Sequence, residues 1–214
     1  MKVLLVNVLS ISDITIPYIY SPQVRNKFSD VDFVIACGDL PYYYQEYIIS
    51  MLNVPLYFVR GNHDPVIEYG ANGERKYPLG GVDLHRRTLQ RDGVIFAGIE
   101  GSIRYSPRGN FQYTRAEMWR HAFYLVPGLL RNRLLYGRFL DILATHASPW
   151  GIHDKPDWPH QGIKAFNWLI RVFQPKYHFH GHIHVYRPDT ITETQFGPTR
   201  ILNTYSYRKT EIAL

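Results

Sequence analysis

Residues 54–64 have the sequence VPLYFVRGNHD, in which a short apolar run is followed at once by glycine, asparagine, histidine and aspartate. A continuous apolar run of this length predicts a strand that is buried on both faces, as in a parallel sheet. Polar groups directly after such a strand lie beyond its carboxyl end, which is where open α/β sheets bind their ligands. The segment therefore predicts an α/β fold with a functional site that begins near residue 61.

Four other predicted strands end in the same way, with a carboxylate or an imidazole. These are residues 2–12 before Asp13, residues 31–37 before Asp39, residues 139–145 before His146, and residues 176–180 before His182 and His184. If the strands share a sheet, their ends converge on one place. Carboxylate, amide oxygen and imidazole together suit manganese, zinc or iron. Five such strand ends are hard to obtain by chance, so we predict a metal site.

The rest of the chain alternates between helical and strand patterns, which favours an α/β fold. Helices are predicted at 41–52, 114–136 and about 162–173, further strands at 94–99, 190–194 and 199–205, and a loop at 65–81. Thr114 and Glu117 form a capping-box pattern at the start of the long helix, and Pro127 predicts a break or kink in it. We expect one domain over residues 1–214, with a helical, arginine-rich segment at about 101–140.

The composition excludes several classes of protein. A single cysteine among 214 residues excludes an internal disulfide framework and a cysteine-rich zinc module. With 45% hydrophobic and 20% charged residues, the chain can bury a core and does not have the composition of a disordered polyelectrolyte. No apolar run is long enough for a membrane span, and the apolar start lacks a small-residue cleavage site, so we predict a cytoplasmic protein.

The net charge of +6 is concentrated in one segment, because residues 101–140 hold seven arginines and one acid, Glu117. This concentration indicates an anionic partner, such as a phosphate-bearing substrate or nucleic acid, and a solvated helix face explains it equally well. No platform of aromatic residues interleaved with lysine and arginine is evident in the sequence. One domain also offers little surface for a long strand, so nucleic acid is an alternative that we do not favour.

The ordered set of GD at 38–39, GNHD at 61–64, a lone histidine at 146 and GHxH at 181–184 resembles the metallophosphoesterase superfamily, the calcineurin-like phosphoesterases. The resemblance extends from Val3 to Asn203. It implies a sandwich of two mixed β-sheets flanked by helices, with two metal ions at the strand ends. It also implies hydrolysis of phosphate esters by metal-activated hydroxide. Small members without an added cap domain often resemble phosphodiesterases, so we favour phosphodiesters over monoesters.

The resemblance implies a role for each residue of the motifs. The implied metal ligands, with Asp39 shared by both ions, are Asp13, Asp39, Asn62, His146, His182 and His184. His63 is implied to lie beside the substrate phosphate and to protonate the leaving oxygen. Asp64 either orients His63 or caps a helix that starts at Pro65. The implied cofactors are two divalent ions, with manganese favoured and zinc, iron or nickel as alternatives.

The sequence departs from the family pattern at Thr15, where the first motif, Asp-x-His, has a histidine that binds the first metal. A hydroxyl is a poor replacement for imidazole, so this ion should bind weakly. His153 or His160 either fills the vacant position or contacts the substrate phosphate, and the alternative for each is an exposed loop histidine. Arg60 either reaches the phosphate or pairs with an acid. The competing functions are a phosphomonoesterase, a nuclease, and a protein-interaction scaffold that has lost metal ligands.

Overall fold

Two large mixed sheets account for most of the strands in the computed structural model, which describes residues 5–70 and 73–214. The first sheet contains, from edge to edge, β15 (Ser206–Ala213), β1 (Leu5–Ser12), β2 (Phe33–Ala36), β3 (Leu56–Phe58) and β6 (Gly81–Asp83). The second sheet contains β13 (Glu193–Phe196), β14 (Thr199–Asn203), β12 (Tyr177–His180), β11 (Ile142–Thr145), β8 (Val94–Ile99) and β7 (Thr88–Arg91).

The remaining elements are four helices, a 3₁₀ turn and two small strand pairs. The helices are α1 (Gln23–Lys27), α2 (Tyr42–Leu52), α3 (Arg115–Tyr136) and α4 (Lys164–Phe173), and the 3₁₀ turn is Trp158–His160. The small strands are β4 (Glu68–Gly70) with β5 (Gly73–Arg75), and β9 (Ser102–Ile103) with β10 (Gln112–Tyr113). Within the described ranges, no helix combines the length and apolar character that a membrane crossing needs.

The two sheets pack face to face, and helices cover their outer faces. Successive side chains of a strand point to opposite faces. Ile142 and Ala144 of β11 therefore join the core between the sheets, whereas Leu143 joins the core beneath α3 and α4. A third core lies between the first sheet and the helices α1 and α2. These layers confirm the predicted sandwich of two mixed sheets flanked by helices.

The strongly patterned elements are confirmed, with ends that differ from the predicted ones by up to about three residues. Strand β8 covers the predicted range 94–99, and α2 and α4 begin within about two residues of their predicted starts. Thr114 caps α3 through the predicted capping box, because its hydroxyl accepts the backbone N–H of Glu117 while the Glu117 carboxylate accepts that of Thr114. The predicted break at Pro127 is wrong, since α3 continues to Tyr136.

The helix tolerates Pro127 because of where that residue lies. Proline removes one backbone hydrogen bond, and the carbonyl that loses its donor belongs to Phe123. Both residues are exposed, so water can hydrate this carbonyl. The opposite face of the helix packs Met118, Leu125 and Leu129 into the core beneath the second sheet. This burial favours a continuous helix despite the missing bond.

Several weakly patterned elements differ from the prediction. The segment 65–81, predicted as a loop, contains the hairpin of β4 and β5. The short helix α1 and the edge strand β7 were not predicted, because five residues give no clear helical period and an edge strand is largely polar. Residues 206–213, for which the sequence predicts no element, form the long strand β15, which pairs with β1. Its sequence, SYRKTEIA, is polar because much of this edge strand faces water.

Candidate metal centre

The carboxyl ends of five strands meet at one end of the sandwich, three from the first sheet (β1, β2 and β3) and two from the second (β11 and β12). The strands run parallel within each sheet, so the segments that follow them leave at the same edge. Backbone hydrogen bonds join these segments in pairs. Asp13 donates to the carbonyl of Gly38 at 3.1 Å, and Gly181 donates to the carbonyl of His146 at 3.0 Å. The polar residues predicted from the sequence are therefore brought together.

The backbone at these strand ends adopts a conformation that is unusual for residues with a side chain. Asp13, Asp39 and His182 have φ values of 66°, 57° and 67°, in the left-handed region. Such conformations are costly and cluster at functional sites. Gly61 is required for a different reason, since a Cβ atom there would lie 2.0 Å from Oδ1 of Asp39. The unfavourable backbone conformations of Asp13, Asp39 and His182 therefore occur where the polar side chains come close together.

Four acceptor groups face one another at the centre of this region. Nε2 of His146 lies 3.0 Å from Oδ1 of Asn62, 3.1 Å from Nδ1 of His182 and 3.4 Å from Oδ2 of Asp39. Ligand atoms of Asp39, His146 and His182 all lie within 4.8 Å of one another. We call Asp39, Asn62, His146 and His182 the acceptor cluster.

Outward hydrogen bonds turn the lone pairs of the acceptor cluster inward. Nδ1 of His146 bonds to the carbonyl of Cys37 at 2.7 Å, and Nε2 of His182 bonds to the carbonyl of Pro159 at 2.9 Å. A carbonyl only accepts, so each of these nitrogens carries the proton and leaves the other as a ligand atom. Nδ2 of Asn62 donates to the hydroxyl of Tyr105 at 3.0 Å, which directs its oxygen inward. Two imidazoles, an amide oxygen and a carboxylate fit a divalent transition metal.

Electrostatics at the acceptor cluster favour a positive charge in this position. Burial opposes protonation of His146, but the adjacent Asp39 carboxylate outweighs it and raises the pKa of His146 to about 9. Burial likewise opposes ionisation of Asp39, yet His146 lowers the pKa of that carboxyl to about 2. Burial lowers the pKa of His182 to about 3, so its ring is neutral. A proton on His146 thus balances Asp39, and a metal ion competes with that proton.

The residues predicted for the first metal ion lie next to the acceptor cluster but are less tightly grouped. Asp13 has a fully buried side chain, and both of its oxygens accept the backbone N–H of His182, at 3.0 and 3.1 Å. Burial raises the pKa of Asp13 to about 6. Nε2 of His184 lies 3.9 Å from Oδ1 of Asp13, while its Nδ1 bonds to the Tyr186 hydroxyl at 2.8 Å. Thr15 is exposed after β1 and offers only a hydroxyl.

His63 lies at the edge of the acceptor cluster. Its backbone N–H donates to Oδ1 of Asp39 at 2.7 Å, and its ring is exposed to solvent. Nε2 of the ring lies 3.3 Å from the hydroxyl of Tyr105, the same hydroxyl that accepts from Asn62. Gln112 holds the Tyr105 loop in place, because its side-chain oxygen accepts the Tyr105 backbone N–H at 3.2 Å. Tyr105 was missed in the sequence, where nothing distinguishes it from the other sixteen tyrosines.

Asp64 makes different contacts from those predicted for it. It is buried, Oδ1 accepts the backbone N–H of Leu40 at 2.9 Å, and Oδ2 accepts that of Gly61 at 2.7 Å. No helix starts at Pro65 in the described chain, where a turn leads to β4, so the helix-cap prediction is wrong. The carboxylate does not bond to the ring of His63 either. It joins the segments that carry Asp39 and Asn62, and thereby fixes the spacing of the acceptor cluster.

The three residues predicted to bind substrate lie in different surroundings. Arg60 bonds through Nε to Glu100 at 2.8 Å and covers the ring of Phe111 at 4.2 Å, which matches the ion-pair alternative. His153 has a protein partner at each ring nitrogen, His180 at 2.8 Å and Thr194 at 2.9 Å. His160 pairs with Asp157, and its ring lies 5.1 Å from that of His182. Of the three, His160 therefore lies beside the acceptor cluster.

Comparison with known proteins assigns the class. The sequence model of the calcineurin-like phosphoesterases matches residues 6–186, and the chain belongs to this family. Membership supports hydrolysis of phosphate esters with divalent metal ions as the class of activity. The sequence matches no curated protein.

Solved structures show the same fold. The protein TT1561 of Thermus thermophilus matches with a TM-score of 0.61 at 13% identity, over 98% of this chain and 98% of that chain. Another crystal structure gives a TM-score of 0.63 at 15% identity, over 97% of this chain and 95% of that chain. An archaeal phosphodiesterase reaches a TM-score of only 0.40 at 13% identity, over 97% and 99% of the two chains, which is too low to support an argument about function.

Proposed function

We propose that the protein hydrolyses phosphodiesters with divalent metal ions held at the strand ends. The acceptor cluster carries this proposal, since its four groups face one another and the outward hydrogen bonds of His146 and His182 direct their other ring nitrogens to the same point, where a cation would replace the proton on His146. Divalent ions bound there lower the pKa of a water molecule and neutralise phosphate oxygens. Because the ligands come from both sheets, we expect residues 1–214 to act as one domain. We favour manganese as the ion, in keeping with the mixed oxygen and nitrogen donors.

Each side chain has a proposed role. Asn62, His146 and His182 would hold the second ion together with Asp39. Asp39 would also serve the first ion, which Asp13 and His184 would hold. His63 lies outside both sets and its ring is exposed, so it is free to meet the substrate and protonate the leaving oxygen.

Tyr105 positions two of these groups at once. Its hydroxyl accepts from the amide of Asn62 and lies within hydrogen-bond distance of Nε2 of His63. The first bond directs the Asn62 oxygen towards the ion, and the second sets the angle of the His63 ring. Asp64 sets the spacing of the same segments through their backbone.

A direct experiment compares two chromogenic esters on purified protein. Protein stripped with EDTA should hydrolyse neither bis(p-nitrophenyl) phosphate nor p-nitrophenyl phosphate. Added Mn²⁺ should restore hydrolysis, with the diester preferred, and zinc, iron or nickel salts test the alternatives. A preference for the monoester would contradict the diester proposal. Protein that binds no metal and hydrolyses neither ester would instead favour the protein-interaction scaffold.

The variant Tyr105→Phe should bind metal about 10-fold more weakly, because outer hydrogen bonds to metal ligands are typically worth 10–100-fold. The ring and its packing are retained, so the loss reports on the hydroxyl alone. Isothermal titration calorimetry with Mn²⁺ measures this change in affinity. Tyr124→Phe is the matched control, since Tyr124 is an exposed residue of α3 that stacks on Arg86. Equal affinities in Tyr105→Phe and the wild type would show that the hydroxyl does not orient Asn62.

Thr15→His should tighten the binding of the first metal ion. In the wild type we expect two binding events in a Mn²⁺ titration, one tight at the acceptor cluster and one weak at Asp13 and His184. Supplying an imidazole should shift the weak event to lower metal concentration and leave the tight one unchanged. Equilibrium dialysis counts the bound ions, and an activity titration on the same samples follows the weaker one. Two equally tight ions in the wild type would mean that another side chain has replaced the missing imidazole, and His160→Ala would then test the residue beside His182.

A further inference from the structure

All four tryptophans of the chain lie along one surface beside the candidate metal centre. They come from α3 (Trp119), the segment after β11 (Trp150), the 3₁₀ turn (Trp158) and α4 (Trp168). Ring contacts and shared cavities connect Trp119, Trp150 and Trp168 in space, and Arg115, which lies over the Trp158 ring, lines one of these cavities. A cationic side chain lies next to each of the most exposed ones. We define the tryptophan track as Trp158, Arg115, Trp150, Lys164, Trp168 and Arg171.

The tryptophan track begins at the acceptor cluster. Trp158 opens the 3₁₀ turn, and the next residue, Pro159, accepts the hydrogen bond from His182. The indole N–H of Trp158 donates to the carbonyl of Arg104 at 3.0 Å. The guanidinium of Arg115 lies 5.0 Å from the centre of the Trp158 ring. This end of the track is thus connected to a predicted metal ligand through one backbone turn.

Trp150 and Lys164 continue the tryptophan track. The ammonium of Lys164 lies 4.6 Å from the centre of the Trp150 ring. A small cleft joins this pair to the first, since Arg115, Trp150 and Lys164 all line it. The Trp150 backbone is held firmly, because its N–H donates to the side chain of Asn167 at 2.8 Å and its carbonyl accepts from that side chain at 2.9 Å. These two bonds fix the backbone from which the Trp150 side chain projects.

The far end of the tryptophan track is a cavity of 380 Å³. Its lining residues are Trp119, Trp150, Lys164, Asn167, Trp168 and Arg171. The ring centres of Trp119 and Trp168 lie 5.8 Å apart, and both side chains are half-buried. Aromatic and cationic groups thus alternate from the metal centre to this cavity.

The tryptophan track is exposed, and no other segment of the described part of the chain covers its most exposed rings. Trp150 is 51% exposed and Trp158 is 49% exposed, although tryptophan is highly buried on average. Two nearby carboxylates pair with groups outside the track, Glu117 with two arginines and Asp157 with His160, and no salt bridge of the described residues involves Arg115, Lys164 or Arg171. The cations of the track therefore retain a net positive charge at the surface. A second copy of this face would bring like charges together, so the track fits an anionic partner with flat apolar groups.

We propose that the tryptophan track binds single-stranded nucleic acid and leads its phosphodiester backbone to the metal centre. Proteins that bind single strands combine cations along the backbone with aromatic rings on which bases stack, and the track supplies both in alternation. Delivery to the metal centre rests on the proposed phosphodiesterase function, whereas binding does not. No interleaved platform is evident in the sequence because the aromatic and cationic residues of the track come from four separate segments.

Binding is tested on metal-free protein, in which hydrolysis cannot remove the probe. Because all four tryptophans lie at the track, an oligothymidylate should quench the intrinsic fluorescence of the protein. Anisotropy of the same oligonucleotide, labelled with fluorescein, then gives the affinity. Binding should weaken steeply with salt, since each neutralised phosphate of a single strand contributes about 0.7 to the slope of log affinity against log salt.

Two variants separate stacking from charge. Trp150→Ala should weaken binding about 5- to 150-fold, the range expected for the loss of one stacked base. Lys164→Ala should weaken binding less and reduce the salt slope by about 0.7. Arg91→Ala is the matched control, because the side chain of Arg91 is an exposed cation far from the track. Arg91 lies in β7 opposite Val94, at the amino end of β8, and the metal centre lies at the other end of the sheet. The affinity of this variant for the oligonucleotide should equal that of the wild type.

Three results would overturn the proposal. The first is absence of oligothymidylate binding at low salt. The second is an equal loss of affinity in Arg91→Ala and Lys164→Ala, which would indicate non-specific attraction. The third is binding to vesicles of phosphatidylcholine and phosphatidylserine with no binding of oligonucleotide, which would make this face a membrane surface. Hydrolysis of bis(p-nitrophenyl) phosphate by the wild type is measured separately. Its failure counts against the proposed function and leaves the binding result standing.

Discussion

Replacing His146 with alanine should abolish phosphodiester hydrolysis together with metal binding at the acceptor cluster. His146 is fully buried, and the three groups that its Nε2 faces are themselves the other proposed ligands of the same ion. Outer-sphere partners of metal ligands are worth 10–100-fold, so loss of a direct ligand should reduce activity by more than about 100-fold. Metal content by elemental analysis and hydrolysis of the chromogenic diester measure the two effects on the same sample.

The same loss is expected in His182→Ala, because Nδ1 of His182 lies 3.1 Å from Nε2 of His146 in the wild type. His85→Gln is the matched control, because His85 is a half-buried histidine that accepts the backbone N–H of Glu100, away from the acceptor cluster. It should retain metal and activity. Circular dichroism establishes that each variant is folded. A folded His146→Ala protein with wild-type activity would refute the assignment of the acceptor cluster as the metal centre.

His63→Ala should give the opposite pattern, with unchanged metal content and a large loss of turnover. The ring of His63 lies outside the acceptor cluster and is exposed, so its removal takes no ligand from the ion. Proton transfer by a positioned side chain is typically worth about 10²–10⁴-fold. We therefore expect a decrease in kcat of this size, measured with diesters whose leaving groups are poor.

The leaving group distinguishes the two roles open to His63. A good leaving group departs without a proton, so the effect of His63→Ala should shrink as the pKa of the leaving alcohol falls. A loss that is equal for all leaving groups would indicate that His63 positions the substrate instead. Loss of metal in this variant would contradict its assignment as a residue that does not bind the ion.

The strand ends show why much of the site was predictable. Buried parallel strands give unbroken apolar runs, and each run stops where the chain leaves the sheet. The residue types that follow, such as Asp39, Asn62 and His146, therefore stand out in the sequence. Their convergence follows from the parallel direction of the strands within each sheet. The role of each residue as a ligand remains a prediction that the experiments above test.

The groups that support the site were not predictable in this way. Tyr105 reaches Asn62 and His63 from a loop between two short strands, and its position depends on the Gln112 side chain. Asp64 was predicted to act on His63 or a helix, yet it bonds to the backbone of Leu40 and Gly61. Contacts of this kind depend on how loops from different strands pack. No local period or spacing in the sequence encodes them.

The pairing of β1 with β15 has a consequence for the order in which the protein is made and assembled. Ser10 of β1 bonds to the carbonyl of Arg208, a residue that the ribosome adds 198 positions later. Until residues 206–213 have been synthesised, β1 therefore has an open edge, and exposed strand edges recruit other chains. Closing so long a loop is slow, and the strand affected is the one that leads into Asp13. Truncation before residue 206 should therefore yield nascent chains that aggregate and depend on chaperones.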